Sequence, residues 1–253
     1  MLCLLVVKLV VAVFAVVLLS LVAELVSPKA AGVLSGYPIG SAITLFFYGL
    51  EVGPDFAADS SVYNILGLVA TQSFIYLYWR SSRRFNIVVS SLIAIAGYFA
   101  VVWPLHLIDV GRLIAAAITI CSIVVFTRLF KGVEDVKIGG RIRLGFSVLL
   151  ARALFAAFMI VSITSVAAAV GPSWAGLFSS FPTTIFPLIM IVHLTYGKER
   201  AHTVIKNVPG GLISVVLYSL VVSVAYPAVG VYLGTALAFA LATAYLLVVL
   251  KRS

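Results

Sequence analysis

The sequence has few charged residues and very little acid. Only 10% of its residues are charged, and 8 Asp and Glu face 17 Lys and Arg. Soluble domains carry about 25% charged residues, and a chain that is 63% apolar has too little polar surface to cover a soluble fold of this size. A soluble enzyme and a disordered chain are therefore excluded. The net charge of +9 does not indicate a nucleic-acid binder, because the basic residues lie between apolar runs.

Cysteine is scarce as well. Cys3 and Cys121 both lie in apolar runs, and two such cysteines form neither a disulfide framework nor a metal motif. We therefore expect no metal and no cofactor. An intramembrane enzyme would need clustered acids, a metal set or a nucleophile with a base. The helical runs contain none of these sets, so we expect no enzymatic activity.

Long apolar runs dominate what is present. A run near 20 residues is enough to cross a bilayer core as a helix, and the spacing predicts nine such crossings. Their approximate bounds are 2–26, 32–50, 62–79, 86–103, 113–130, 144–170, 176–196, 211–226 and 229–250. The fold class expected is thus all-α, a polytopic transmembrane helical bundle. The second run is interrupted by Pro38, and the seventh contains Pro182 and Pro187.

The distribution of basic residues predicts the orientation. If nine crossings alternate, fourteen of the seventeen Lys and Arg fall on one side; only Lys8, Arg112 and Arg152 do not. The basic side of a membrane protein is cytoplasmic. We therefore expect a multi-pass protein of the plasma (cell) membrane with its N-terminus outside and its C-terminus in the cytoplasm.

The chain matches itself at an offset of 144 residues. Ser27–Gly32 aligns with Gly171–Gly176 and Leu34–Pro38 with Phe178–Pro182, and positions 28–68 contain ten identities in 41 positions. Composition alone would give about a tenth. Two repeats are therefore expected, 1–135 with five helices and 136–253 with four. An odd number of crossings in the first repeat inverts the second relative to the membrane.

The second repeat, about 143–250, resembles the small integral-membrane proteins of the GlpM family. The similarity lies in Ala175-Gly176-Leu177, Phe181-Pro182-Thr183 and Glu199-Arg200. It implies a four-helix unit, here duplicated and fused with one extra helix. The first repeat departs from the pattern at Tyr37-Pro38-Ile39 and at the turn that holds Glu51, Pro54 and Asp55. The resemblance bears on architecture more than on mechanism.

The two proline interruptions are the main candidate site. Proline inside a helix frees a carbonyl, which lipid tolerates only where the freed group faces protein or a wet cavity. Matched breaks in two repeats are typical of a substrate site near the midplane; a kinked, tightly packed helix pair is the alternative. The candidate substrate-binding residues are Ser35, Gly36, Tyr37, Pro38, Ser179, Ser180, Phe181, Pro182 and Thr183, with Thr44 and Thr184 as nearby donors.

Charged residues within the helical runs are further candidates, because such residues are costly in a membrane and often functional. Lys8 and Arg152, which the offset places opposite each other, could bind an anionic substrate, pair with Glu24 or Glu51, or reach the headgroups. Glu24 and Glu51 could instead couple transport by binding a proton or cation. A solvated helix end is the alternative for both.

The function expected from these features is secondary transport of a small solute through the broken second and seventh helices. Lys8 and Arg152 slightly favour an anionic solute. A channel, a lipid translocase and a non-transporting membrane assembly subunit are the alternatives. The partners expected are the lipid bilayer and a small-molecule or ion substrate, without nucleic acid; a homo-oligomer stays open.

Overall fold

The computed structural model describes residues 7–8, 10–11, 13–14, 28–136 and 146–252. Within these ranges all regular secondary structure is helical, which confirms the all-α prediction. Most of the predicted first helix, Glu24 and the side chain of Arg152 lie outside the described part of the chain.

The described ranges from residue 28 onward contain nine α-helices. Their bounds are α1 Pro28–Ser35, α2 Ile39–Glu51, α3 Pro54–Ser82, α4 Ile87–Leu105, α5 Arg112–Leu129, α6 Phe146–Ser179, α7 Ile185–Tyr196, α8 Lys198–Val229 and α9 Val231–Arg252. One short 3-10 turn, Phe130–Gly132, follows α5. Most connections are only a few residues long, as the short polar links of the sequence predict.

Six helices in the described part of the chain are long and apolar enough to cross a membrane. They are Gly32–Glu51 (α1 and α2 together), Ile87–Leu105, Arg112–Gly132, Ala153–Ser179, Lys198–Val229 and Val231–Val249. Helix α7 is apolar but spans only 12 residues. Length and composition therefore indicate a membrane-embedded helical bundle, while the full set of nine crossings stays a prediction.

Helix α3 differs from the predicted crossing over 62–79, since it extends over 29 residues. Its central polar residues Asn64, Thr71 and Gln72 are almost completely buried. Polar groups inside a bundle are tolerated where other helices supply their hydrogen bonds, so α3 belongs to the interior. The sequence also predicts an exposed acidic loop at Asp55 and Asp59. Both residues are exposed, as predicted, but they lie in the first turns of α3 and not in a loop.

Helices α3 and α8 form the centre of the bundle. They pack on each other, and the remaining helices pack around them: α4, α5 and α6 against α3, and α1, α7 and α9 against α8. The main apolar core lies between them and includes Ile65, Phe74, Leu212 and Val216. Both proline interruptions are held against this central pair.

Gly171 divides α6 into a long segment and a short one. Its backbone has φ 80° and ψ 170°, a conformation that side-chain-bearing residues rarely adopt. Pro172 then begins the segment 172–179, a position where its missing N–H costs nothing. The sequence predicts a crossing that starts at Gly176, whereas this helical segment starts at Pro172, because the Gly-Pro pair also serves as a helix start.

Candidate functional site

The two interruptions predicted from the prolines meet at one small cavity, called the central cavity below. Helix α1 ends at Ser35 and α2 begins at Ile39, while α6 ends at Ser179 and α7 begins at Ile185. The cavity has a volume of about 30 Å³. Its lining comes from both interruptions and from α3 and α8: Ser35–Pro38, Gly40, Ser41, Ser180–Ile185, Leu68, Thr71, Leu212 and Val215.

Glycine contacts bring the interruptions close to the central helices. A Cβ added to Gly36 would lie 2.5 Å from the backbone carbon of Gly211 on α8, and one added to Gly67 on α3 would overlap the Ser180 hydroxyl. Such close approach of backbones is typical of small residues at helix crossings in membranes. The helix ends at the cavity are therefore fixed by packing, not by loop length.

The carbonyl groups freed by the interruptions are each bonded by a hydroxyl of another segment. Ser214 donates to the Gly36 carbonyl at 3.0 Å, and Thr71 donates to that of Ser180 at 2.6 Å. Each bond joins one interruption to a central helix. Because water is absent from the membrane core, such bonds are what allows a helix to be interrupted there.

Asn64 holds the two interrupted helices together beside the cavity. Its side-chain amide donates to the hydroxyls of Ser41 at 3.1 Å and Ser179 at 2.7 Å, and its oxygen accepts from Ser219 at 2.9 Å. Asn64 is fully buried. One side chain of α3 therefore links α2, α6 and α8.

Replacing Asn64 by Leu is expected to destabilise the protein by about 1–2 kcal/mol, since interhelical hydrogen bonds in membrane proteins average about 0.6 kcal/mol each. Thermal unfolding in detergent measures the effect. Ser73→Ala is the control, because that hydroxyl bonds only within α3, to the Val69 carbonyl. Equal melting temperatures for the two variants would contradict a linking role of Asn64.

Lys8 is predicted either to bind a substrate, to pair or to reach the headgroups, and in the structure it pairs. Its ammonium lies 2.7 Å from Glu51 Oε2, donates to the Thr164 hydroxyl at 2.8 Å and lies 5.5 Å from the Phe47 ring centre. Lys8 is only 5% exposed. Neither Lys8 nor Glu51 lines the central cavity. Through its bonds to Glu51 and Thr164, Lys8 therefore joins α2 to α6 away from the cavity.

A second cavity, of about 450 Å³, lies at the start of α3. Asp55, Asp59 and Asp109 line it together with Tyr63 and Arg112. Asp109 comes from the α4–α5 connection, and no spacing in the sequence indicates that it joins the other two. Within the described ranges no three His, Cys, Asp or Glu side chains are arranged to hold a metal ion.

Two histidines lie near the C-terminal end of α3, whose N-terminal end lines the acidic cavity. His193 shares a hydrogen bond of 3.0 Å with the Tyr78 hydroxyl, and His202 one of 2.8 Å with that of Ser82. The sequence predicts His202 in a loop, but it lies in α8, because that helix begins well before its apolar run.

Hydroxyls of α2, α3 and α8 are the part of the candidate site that sequence reasoning misses. Ser41, Thr71 and Ser214 all bond to the interrupted segments. Serine and threonine in a helix bond most often to their own helix, so position alone does not single them out. Their partners become apparent only when α3 and α8 are known to flank the cavity.

Comparison with known proteins adds no relative. No family model matches the chain, no curated protein matches it and no solved structure matches it. The resemblance of the second repeat to GlpM therefore stays a prediction based on its motifs, and function has to be argued from the site itself.

Proposed function

We propose that the protein is a secondary transporter of a small solute, with the central cavity as its binding site. The observation that carries this proposal is the convergence of two proline-interrupted helices on one small cavity whose lining includes serine and threonine residues. Interrupted helices expose backbone groups that can bind a solute without charged side chains. Intramembrane enzymes need a different arrangement, with acids, metal ligands or an activated nucleophile, and we propose none here.

The proposal includes two repeats of inverted topology, which the positions of the helices support. Helix α3 begins at Pro54 and α8 at Lys198, and α4 begins at Ile87 and α9 at Val231; both pairs differ by 144 residues. The glycines that precede α3 and α8, Gly53 and Gly197, both have positive φ, 137° and 90°. The 144-residue offset seen in the sequence thus also relates the starts of these helices, although most of their residues are not identical.

Tertiary contacts at equivalent positions support the same repeat. A Cβ on Gly32 would meet Val204 and Asn207, and one on Gly176 would meet Ser60 and Tyr63. The glycines and their neighbours correspond in order, and each residue of the Gly32 contact lies 144 positions from its counterpart in the Gly176 contact. In each repeat the short helix before the interruption therefore packs on the long helix of the other repeat.

Two apolar clefts on the sides of the bundle are related in the same way. One, of about 250 Å³, includes Val11, Ala42 and Phe239; the other, of about 270 Å³, includes Phe155, Phe186 and Ile95. The first, second and third residues of the two clefts correspond to one another, each at a distance of 144 positions in the sequence. Each cleft combines two helices of one repeat with the fourth helix of the other. Such exchange is what a two-fold axis between intertwined repeats predicts.

In this proposal the two repeats rock about the cavity and expose it alternately to the two sides. The proposal keeps the orientation that the basic links predict, with the N-terminus outside and the C-terminus in the cytoplasm. Lys8 and Glu51 hold each other, so Glu51 could take up a coupling proton only after this pair separates. Glu24 and Arg152 keep their predicted roles as a coupling residue and a substrate-binding residue.

Side-specific cysteine labelling tests the proposal. In a background without Cys3 and Cys121, single cysteines replace Ser35, Ser180 and Thr183, and a membrane-impermeant thiol reagent is applied to each side of sealed proteoliposomes. Gly36 is left unchanged because a side chain there overlaps Gly211. Ser90→Cys is the control, since Ser90 is fully buried on α4 and does not line the cavity.

A transporter predicts labelling of the three cavity positions from one side, with a change of side when the pH or the salt is changed. Simultaneous labelling from both sides would favour a channel. Protection of all three positions at the level of Ser90→Cys would overturn the proposal and favour an assembly subunit with a dry core.

A further inference from the structure

At the central cavity the backbone carbonyls of the helix C-termini have hydrogen-bond donors, whereas several backbone amides of the helix N-termini have no acceptor among the described residues. The carbonyls at the ends of α1 and α6 all have donors: Thr184 bonds that of Ser35, Ser41 that of Ser179, and the Ser35 and Ser179 hydroxyls those of Gly32 and Gly176. With the bonds to the Gly36 and Ser180 carbonyls, the acceptors freed by the interruptions are paired. The cavity therefore offers few free backbone acceptors.

The amide groups at the opposite helix ends remain free. At the start of α2, Ile39 and Ala42 donate to the carbonyls of Tyr37 and Pro38, whereas the amides of Gly40 and Ser41 have no acceptor among the described residues. Neither α2 nor α7 has a side chain that caps its first turn. Since the first amides of a helix need partners, these groups are available to a ligand.

Helix α7 presents free amides to the same cavity. Phe186 donates to the Pro182 carbonyl, but the amides of Thr184 and Ile185 find no acceptor in the described part of the chain. Gly40, Ser41, Thr184 and Ile185 all line the cavity. Two helix N-termini, each with the positive end of its dipole, thus face one small space.

Thr183 gives independent evidence for a ligand. Its side chain lines the cavity and is 6% exposed. Its hydroxyl forms no hydrogen bond with any described residue, although hydroxyls buried in a membrane protein normally have a partner. A Cβ on Gly40 would lie 2.5 Å from this oxygen, which shows that the hydroxyl points toward the start of α2.

The excess of donors indicates an anion, and the size of the cavity restricts which one. Holding one water takes roughly 10–15 Å³, so about 30 Å³ suits one ion of halide size or about two waters. None of the lining residues carries a charge. A divalent anion would lose more hydration on entering so small a cavity than a monovalent one.

Building on the transport function proposed above, we propose that the solute is a compact monovalent anion of halide size. The amides of α2 and α7 and the Thr183 hydroxyl would bind it by donating hydrogen bonds. Selection against larger and doubly charged anions would follow from the volume of the cavity and from the absence of a balancing side-chain charge.

Equilibrium binding of radioactive chloride to the full chain, purified in detergent with gluconate as the background anion, tests this inference. We expect saturable binding that bromide competes with and that sulfate and gluconate do not. Thr183→Val keeps the shape of the side chain and removes one donor to a charged ligand, so binding should weaken about tenfold to a hundredfold. Gly40→Ala should weaken it as well, because its methyl group would overlap the Thr183 hydroxyl.

Thr119→Val is the matched control, because Thr119 is also buried but its hydroxyl bonds to the Ile65 carbonyl on α3, outside the cavity. Its chloride affinity should equal that of the wild type. Absence of saturable binding, or equal losses in Thr183→Val and Thr119→Val, would overturn the anion proposal. Cysteine labelling that still changes sides would then leave the transport function in place, so the two failures are distinguishable.

Discussion

Gly211→Ala is expected to be among the most destabilising substitutions that add only one methyl group to this protein. A Cβ at Gly211 would overlap the Val33 carbonyl oxygen and lie 3.0 Å from the Gly36 Cα. Backbone atoms cannot turn away as a side chain can, so α1 would have to move off α8. Overpacking of this kind costs about 1–3 kcal/mol, against a gain of about 0.5–1 kcal/mol from replacing glycine in a helix.

The neighbouring Gly210 provides the control. It lies in the same helix, and a Cβ there would meet nothing within 4 Å. Gly210→Ala should therefore leave stability unchanged or raise it slightly. Melting temperatures in detergent, measured for both variants, check the contrast. A Gly211→Ala protein as stable as Gly210→Ala would mean that α1 and α8 do not cross at this point.

Removing one partner of the Lys8–Glu51 pair is the second change with a large expected effect. Glu51→Leu leaves the ammonium of Lys8, which is 5% exposed, without its counter-ion. Loss of one member of a fully buried pair typically costs about 3–5 kcal/mol. Because Glu51 is partly exposed, we expect a loss at the lower end of that range. The Glu51 side chain is 21% exposed and can be hydrated when left alone, so Lys8→Met should cost less.

The double variant separates the charge effect from packing. Replacing both partners by apolar residues removes the unpaired charge, and we expect most of the stability lost in Glu51→Leu to return. The exposed pair of Lys206 and Asp135, 2.9 Å apart, is the control, because Asp135→Leu should change stability by about 0–1 kcal/mol. Additive losses in the double variant would contradict a direct Lys8–Glu51 interaction.

The sequence predicts the helical elements well where apolar length decides them. The all-α class and the interruptions near Pro38 and Pro182 follow from run lengths and from proline chemistry. Helices α3 and α8 extend beyond their predicted bounds, and polar residues within them, such as Asn64 and Thr203, are buried against other helices. Such burial depends on tertiary contacts, which periodicity does not report.

The candidate site is predictable in part for the same reason. Proline and serine mark the interrupted segments, and intramembrane charge singles out Lys8 and Glu51. Intramembrane charge leaves both Glu24 and Glu51 open as partners of Lys8, beside substrate binding and contact with headgroups. Only the tertiary structure selects Glu51, which lies 43 positions away in the sequence. The unpaired hydroxyl of Thr183 could not be recognised either, because a free donor is defined only by its neighbours.

Distances between spin labels on the two faces of the bundle test the alternating movement of the repeats most directly. One label pair is Leu50 with Ala228; the other, Leu194 with Arg84, occupies the equivalent positions 144 residues away, and all four side chains are exposed. The pairs are measured in lipid nanodiscs, in chloride and in gluconate, at neutral and acidic pH. A rocking transporter predicts opposite changes, with the first distance lengthening where the second shortens. If each pair keeps the same distance in every condition, the alternating movement of the repeats is contradicted.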